Sequence, residues 1–256
     1  MHRYKLTLEY DGAPFVGWQS QASGASVQDK LAVAIEKFCG ETPTIFAAGR
    51  TDSGVHARGQ VAHIDLASAP EVHKLRDGLN FHLKPDPVAV LSAELVDDAF
   101  HARFGALRRH YLYRIITRRA PLALDGAYAW WVPHDLDVEA MHAAAQHLRG
   151  QHDFTTFRAS QCQAASPIKT VDHIRVQRDA DDVICITVSA RSFLHHQVRS
   201  FAGALKYVGA GKWTAGDLEH ALKAADRAAC APVAPPHGLY FMRVDYPEKY
   251  ETSVSK

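Results

Sequence analysis

Apolar and polar positions alternate from Arg3 to Tyr10, with Tyr4, Leu6 and Leu8 on one face and Lys5 and Thr7 on the other. That period of two predicts a strand. Residues 11–25, rich in Gly, Ser and Gln, predict a loop. Ser26 followed by Asp29 has the form of a helix N-cap with a capping acid, and Leu31, Ile35 and Phe38 continue at helical spacing until Gly40 supplies a stop. A short strand over 44–48 follows, then a longer one from Ala57 to Leu66, a helix over 71–80 and a strand from Pro87 to Leu95. The order β-α-β-β-α-β is that of a ferredoxin-like unit. The second half repeats this loosely. Strands are expected from Tyr111 to Thr117, from Ala127 to Val132, near 168–178 and 183–190, and from His237 to Tyr246. Helices are expected from Asp135 through Met141 to Leu148, from Leu194 to Val208, and over 215–225.

Intermixed helices and strands without a regular βα rhythm place the chain in the α+β class. The expected architecture is two ferredoxin-like or RRM-like halves with largely antiparallel sheet forming a central cleft. The division is set at 1–104 and 105–256. No repeat recurs at a fixed period.

Composition narrows the picture. At 256 residues, 47% hydrophobic and 22% charged, the chain can bury a core without staples and is not a disordered or fibrous sequence. Its apolar runs are far shorter than the roughly 18 residues of a membrane span, and the N-terminus enters a strand without a signal-peptide block, so a cytoplasmic protein is expected. Cys39, Cys162, Cys185 and Cys230 are dispersed and form no C-x-x-C pair, which disfavours a disulfide framework or a cysteine zinc site.

The net charge of +1 conceals an asymmetry. Residues 1–100 hold 9 basic and 13 acidic side chains, and residues 101–256 hold 20 and 15. Arg103, Arg108, Arg109, Arg114, Arg118 and Arg119 lie within 101–119, which contains no acid. Such a cluster binds phosphates irrespective of the total charge, or is simply a solvated basic face.

Four segments stand out. In Gly49-Arg50-Thr51-Asp52-Ser53-Gly54-Val55-His56-Ala57, glycines frame a polar loop around one acid. Arg50 and Asp52 point the same way if the stretch is extended, and a guanidinium nearby favours an ionised carboxylate able to act on a sugar carbon. An ordinary Asx turn accounts for the pattern equally well. Asp52-Ser53-Gly54 also matches the short signature of aspartic proteases, but that chemistry needs a second such carboxylate, which this chain lacks. In Arg108-Arg109-His110-Tyr111-Leu112-Tyr113-Arg114, cations interleave with rings as RNA binding requires, although half-buried core tyrosines give the same alternation. In Ser192-Phe193-Leu194-His195-His196-Gln197-Val198-Arg199, the helical stripe of Leu194, Val198 and Phe201 leaves Arg199 partly carried into the core. His195 and His196, adjacent on a helix, would point to different sides and make a poor metal pair. A Pro-rich stretch, 231–236, leads into the last strand.

Together these segments resemble the tRNA pseudouridine synthase A family over nearly the whole chain. The Gly49–Ala57 loop is similar to the family's catalytic loop. Leu8-Glu9-Tyr10-Asp11-Gly12 and Phe15-Val16-Gly17-Trp18-Gln19 resemble its opening. Phe100-His101-Ala102-Arg103-Phe104 with Arg109-His110-Tyr111-Leu112-Tyr113 resembles its second motif, Ser192–Arg199 its third and Pro236-His237-Gly238-Leu239-Tyr240 its last. Gln197 stands where the family usually has Met. The resemblance implies an isomerase that converts uridine to pseudouridine at positions 38 to 40 of the tRNA anticodon stem-loop, as a homodimer without cofactor or metal. It implies Asp52 as catalytic aspartate, Tyr111 as the ring against the target base, Arg199 as the cation paired with the aspartate, and Arg50 as the side chain filling the space of the flipped base. Arg103, Arg108, Arg109 and Arg114 are the expected RNA contacts. A tRNA-binding protein without turnover and an Asp52-dependent hydrolase are the other classes considered; the hydrolase lacks its expected second acid.

Overall fold

The structure is a computed structural model that describes residues 1–22 and 24–250. Its elements are β1 (His2–Tyr10), α1 (Val27–Cys39), β2 (Phe46–Ala47), β3 (His56–Leu66), α2 (Val72–Leu83), β4 (Val88–Val96), β5 (Arg108–Thr117), β6 (Trp130–Val132), α3 (Val138–Ala145), β7 (Gly150–Asp153), β8 (Ile168–Ala180), β9 (Val183–Ala190), α4 (Gln197–Gly209), α5 (Ala215–Ala224) and β10 (Leu239–Asp245). The fold is mixed α+β with mostly antiparallel pairing, as the hydrophobic periodicities imply.

The chain divides into two compact units, residues 1–109 with the chain from 241 onward, and residues 110–240. This differs from a single cut at 104/105. The last strand does not stay with the second half: from Phe241 onward β10 belongs to the first unit, in the strand order β4-β1-β3-β10.

In the first unit β1 pairs antiparallel with both β3 and β4, so Tyr4, Leu6 and Leu8 are buried at its centre. Helix α1 begins as its sequence dictates. Ser26 Oγ accepts from Asp29 N at 3.1 Å, and Asp29 Oδ2 accepts from Ser26 N at 3.2 Å. This capping box satisfies two otherwise orphaned N–H groups and contributes about 1 kcal/mol. Gly40 ends the helix in the left-handed region at φ 74°. Leu31 and Ile35 of α1 and Leu75, Leu79 and Leu83 of α2 supply the helical side of the core. A Cβ at Gly78 of α2 would lie 2.2 Å from the Phe38 ring of α1, so a larger residue there would have to push that half-buried ring aside.

In the second unit the strand order is β5-β9-β8-β7, with β6 parallel to β5. Helices α3, α4 and α5 pack together, and α3 lies on β8. Phe154, Phe157 and Phe201 form a buried ring cluster with centroids 5.3–6.5 Å apart. A Cβ at Gly203 would meet Pro232 O at 2.0 Å, which seats the Pro-rich stretch directly on α4. No helix among the described residues is long and apolar enough to cross a membrane.

Candidate active site

In the first unit the loop carrying Asp52 leaves β2 and is held from three directions. Ala48 N donates to Val61 O at 2.7 Å, and Gln60 Nε2 donates to Gly49 O at 2.8 Å. Trp18 N donates to Thr51 O at 3.0 Å, and Ser53 Oγ donates to Phe15 O at 3.1 Å. The Thr51 and Tyr10 hydroxyls share a buried hydrogen bond of 2.8 Å. Burial pushes the Tyr10 phenol up to about 12, so it stays neutral. Val55 N donates to Asp52 O at 3.1 Å and closes a tight turn through Gly54 at φ 76°. Gly17, at φ 111°, is required by proximity: a Cβ there would lie 2.7 Å from Thr51 O. The loop backbone is therefore rigid. Thr51 and Val55 are buried, Asp52 is half-buried and Arg50 is exposed. A carboxylate on a fixed backbone suits a group that must meet a ligand in one geometry.

The basic residues expected to bind RNA separate into distinct groups. Arg103 and Arg108 are exposed. Arg109 is not available to phosphate. It is 7% exposed, and its guanidinium donates to Ala48 O through Nε at 3.2 Å and Nη2 at 2.9 Å. It also donates to Ala106 O at 3.3 Å and Arg103 O at 2.5 Å. This corrects its expected role: a buried cation must find acceptors, and Arg109 finds three carbonyls, tying residues 103–106 to the end of β2. Arg114, in the second unit, is half-buried, with Nη1 3.4 Å from Tyr128 O and 3.8 Å from Asp125 Oδ1.

In the second unit the two tyrosines of β5 have different environments. Tyr111 is half-buried and meets Phe193 edge-on, centroids 5.2 Å apart at 88°. Tyr113 is fully buried, its hydroxyl donates to Pro235 O at 2.8 Å, and burial raises its pKa while the nearby Arg199 charge opposes the rise. Arg199 Nε donates to Ala234 O at 2.9 Å, and Ala234 N donates to Arg199 O at 3.2 Å. The Pro-rich stretch thus orients Arg199. His195 and His196 precede α4 instead of lying on it. His196 adopts φ 65°, and the two rings sit 4.1 Å apart, not on opposite sides of a helix.

A sequence profile described as "tRNA pseudouridine synthase" matches residues 144–247. A tRNA pseudouridine synthase A of Parvibaculum lavamentivorans is 61% identical over 246 residues, 96% of this chain and all of its own length. Those of Maricaulis maris and Nitrobacter hamburgensis are 60% and 59% identical, each over 96% of this chain and 99–100% of their own. The chain belongs to the tRNA pseudouridine synthase A family. Within this synthase family member, residues 144–247 cover Arg199 and its proline-rich support but not the Asp52 loop, which the full-length relatives span.

Sequence reasoning missed what supports the synthase loop. Gln60, fully buried on β3, and Tyr10, buried at the end of β1, hold Gly49 and Thr51. The one available signal was an uncharged amide inside a strand of mostly buried residues. Gly12 N donating to His56 Nδ1 at 3.0 Å likewise joins segments 44 residues apart, which no local pattern reveals.

Proposed function

We propose that this chain converts uridine to pseudouridine at positions 38 to 40 of the tRNA anticodon stem-loop, with Asp52 as the essential carboxylate. The observation that carries the assignment of Asp52 is its loop: rigidly bonded through Ala48, Gly49, Thr51 and Ser53, while Asp52 itself stays half-buried. Family membership supports the reaction class.

The reaction breaks the bond between uracil N1 and ribose C1′ and joins C1′ to C5. A proton leaves C5, and the substrate N1 position ends protonated. The product is an isomer of the substrate, so no oxidant, reductant or energy source is consumed. Asp52 meets the positive charge that develops at C1′ when the N-glycosidic bond opens. The target must first leave the stack, at a cost of a few kcal/mol. Tyr111, held edge-on by Phe193, offers a ring face to uracil, and the exposed Arg50 offers a guanidinium to the space the base vacates. Arg199, oriented by Ala234, is a fixed cation suited to balancing the carboxylate. The same reading has the protein act in the cytoplasm as a homodimer on tRNA, without cofactor or metal.

Chemical mapping of pseudouridine in tRNA incubated with wild type and with Asp52→Asn tests this. Modification at 38 to 40 by wild type alone is expected. Unmodified tRNA that nonetheless binds the wild-type chain would replace the enzyme by a binding protein.

A further inference from the structure

A group of rings in the first unit lies outside the Asp52 loop and is not used by the chemistry above. His63 of β3 is buried and accepts Ala102 N through Nδ1 at 3.1 Å. Phe46 stacks on its outer face, centroids 4.9 Å apart and 12° from parallel. His101 abuts both, 5.4 Å from Phe46 and 4.7 Å from His63. Phe104 continues the row, 4.6 Å from His101, and the Arg103 guanidinium carbon lies 5.5 Å from the Phe104 centroid. Phe46 is 42% and Phe104 73% exposed, a large apolar area to leave in water on a well-packed unit.

The arrangement is built, not frayed. His101 Nδ1 accepts from both Arg103 N at 3.1 Å and Phe104 N at 3.3 Å, and Gly105 N donates to His101 O at 2.8 Å. The buried Arg109 then ties the carbonyls of Arg103 and Ala106 to that of Ala48, two residues beyond Phe46. Burial holds the His63 pKa near about 4 and lowers that of His101, so both imidazoles are neutral flat rings at pH 7. Phe46 also lies on the short strand that precedes the Asp52 loop in the chain.

We propose that Phe46, His101 and Phe104 form a stacking platform for unpaired bases of the RNA, with Arg103 and Arg108 holding the adjoining phosphates. This rests on the reading of the chain as a tRNA-acting enzyme and adds a binding surface to it. Flat rings flanked by cations suit single-stranded nucleic acid, in which each base offers a π-face and each linkage a charge. Charge decides against a second copy of the chain as occupant. A two-fold contact centred here would bring the exposed Arg103 guanidinium of one copy, beside its Phe104 ring, against the same group of the other. A polyanion neutralises them.

The test is Phe104→Ala beside Phe104→Trp and wild type, with affinity for a tRNA transcript measured across a salt series and sedimentation measured without RNA. Phe104 is mostly exposed, so its truncation removes little core packing. Phe104→Ala should weaken binding about tenfold or more, with an unchanged salt slope because a ring releases no counterions. Phe104→Trp should bind as wild type does, and sedimentation should not change. Equal affinity in Phe104→Ala and wild type overturns the platform. A shift of Phe104→Ala to a smaller sedimenting species also overturns it and assigns the surface to contact between copies. Wild type that fails to bind tRNA overturns the underlying activity as well, and is distinguished because it is measured alone.

Discussion

Arg109 separates two accounts of the basic segment. Replacing it with Ala removes four N–H donors from the carbonyls of Ala48, Ala106 and Arg103. A hydrogen bond from a charged donor contributes about 1.5–3 kcal/mol, and a buried acceptor left alone costs about 1–3 kcal/mol. The four bonds share one guanidinium, so they do not add in full; a loss of about 3–5 kcal/mol is expected, at the upper end for single substitutions. At about 2–4 °C per kcal/mol for a chain of this size, Tm should fall by roughly 6–20 °C. Arg109→Lys keeps the charge but cannot span three carbonyls, and should lose about half as much. Thermal and urea unfolding measure both. The slope of tRNA affinity against salt, taken below the lowered Tm, should not change, since a buried cation displaces no counterion. If Arg109 instead held a phosphate, stability would be unaffected, the slope would fall by about 0.9, and Lys would serve nearly as well. That result would refute the structural role.

Gly17→Ala should cut turnover at least tenfold, with tRNA affinity changed much less, because its Cβ would press on Thr51 O and displace the Asp52 loop; single-turnover rates and binding titrations check this. His63 should make the protein acid-sensitive. Its pKa is near about 4 when folded and 6.5 when unfolded, so the unfolded chain binds the extra proton. Its contribution is fully present above pH 6.5 and is lost as pH falls toward 4, by up to about 3 kcal/mol. His63→Phe should flatten that part of the stability profile in urea titrations from pH 7 to pH 4.5; an unchanged slope would contradict the assignment.

Much of the fold is written in local chemistry. The Ser26 and Asp29 capping box, the Gly40 stop and the alternation of β1 each depend on residues a few positions apart, and each lies where the pattern indicates. Strand β7, Gly150–Asp153, has no apolar alternation and, among the described residues, pairs with β8 alone, so it is invisible without its neighbour. The start of α4 moved from Leu194 to Gln197 because His196 takes a left-handed conformation, while Gln197 turns its side chain back to accept Leu194 N at 2.8 Å. The candidate residues themselves were legible as an unusual loop and a basic run. Their supports were not, because the partners of Arg109, Thr51 and Arg199 come from distant segments.

The central claim is that Asp52 acts on uridine in tRNA. Tritium release from tRNA labelled at uridine C5, under single-turnover conditions with wild type and Asp52→Asn side by side, tests it most directly. Loss of the C5 hydrogen accompanies formation of the new carbon–carbon bond. Stoichiometric release by wild type and none by Asp52→Asn is expected, with tRNA still bound by both. Release by Asp52→Asn at the wild-type rate would contradict it.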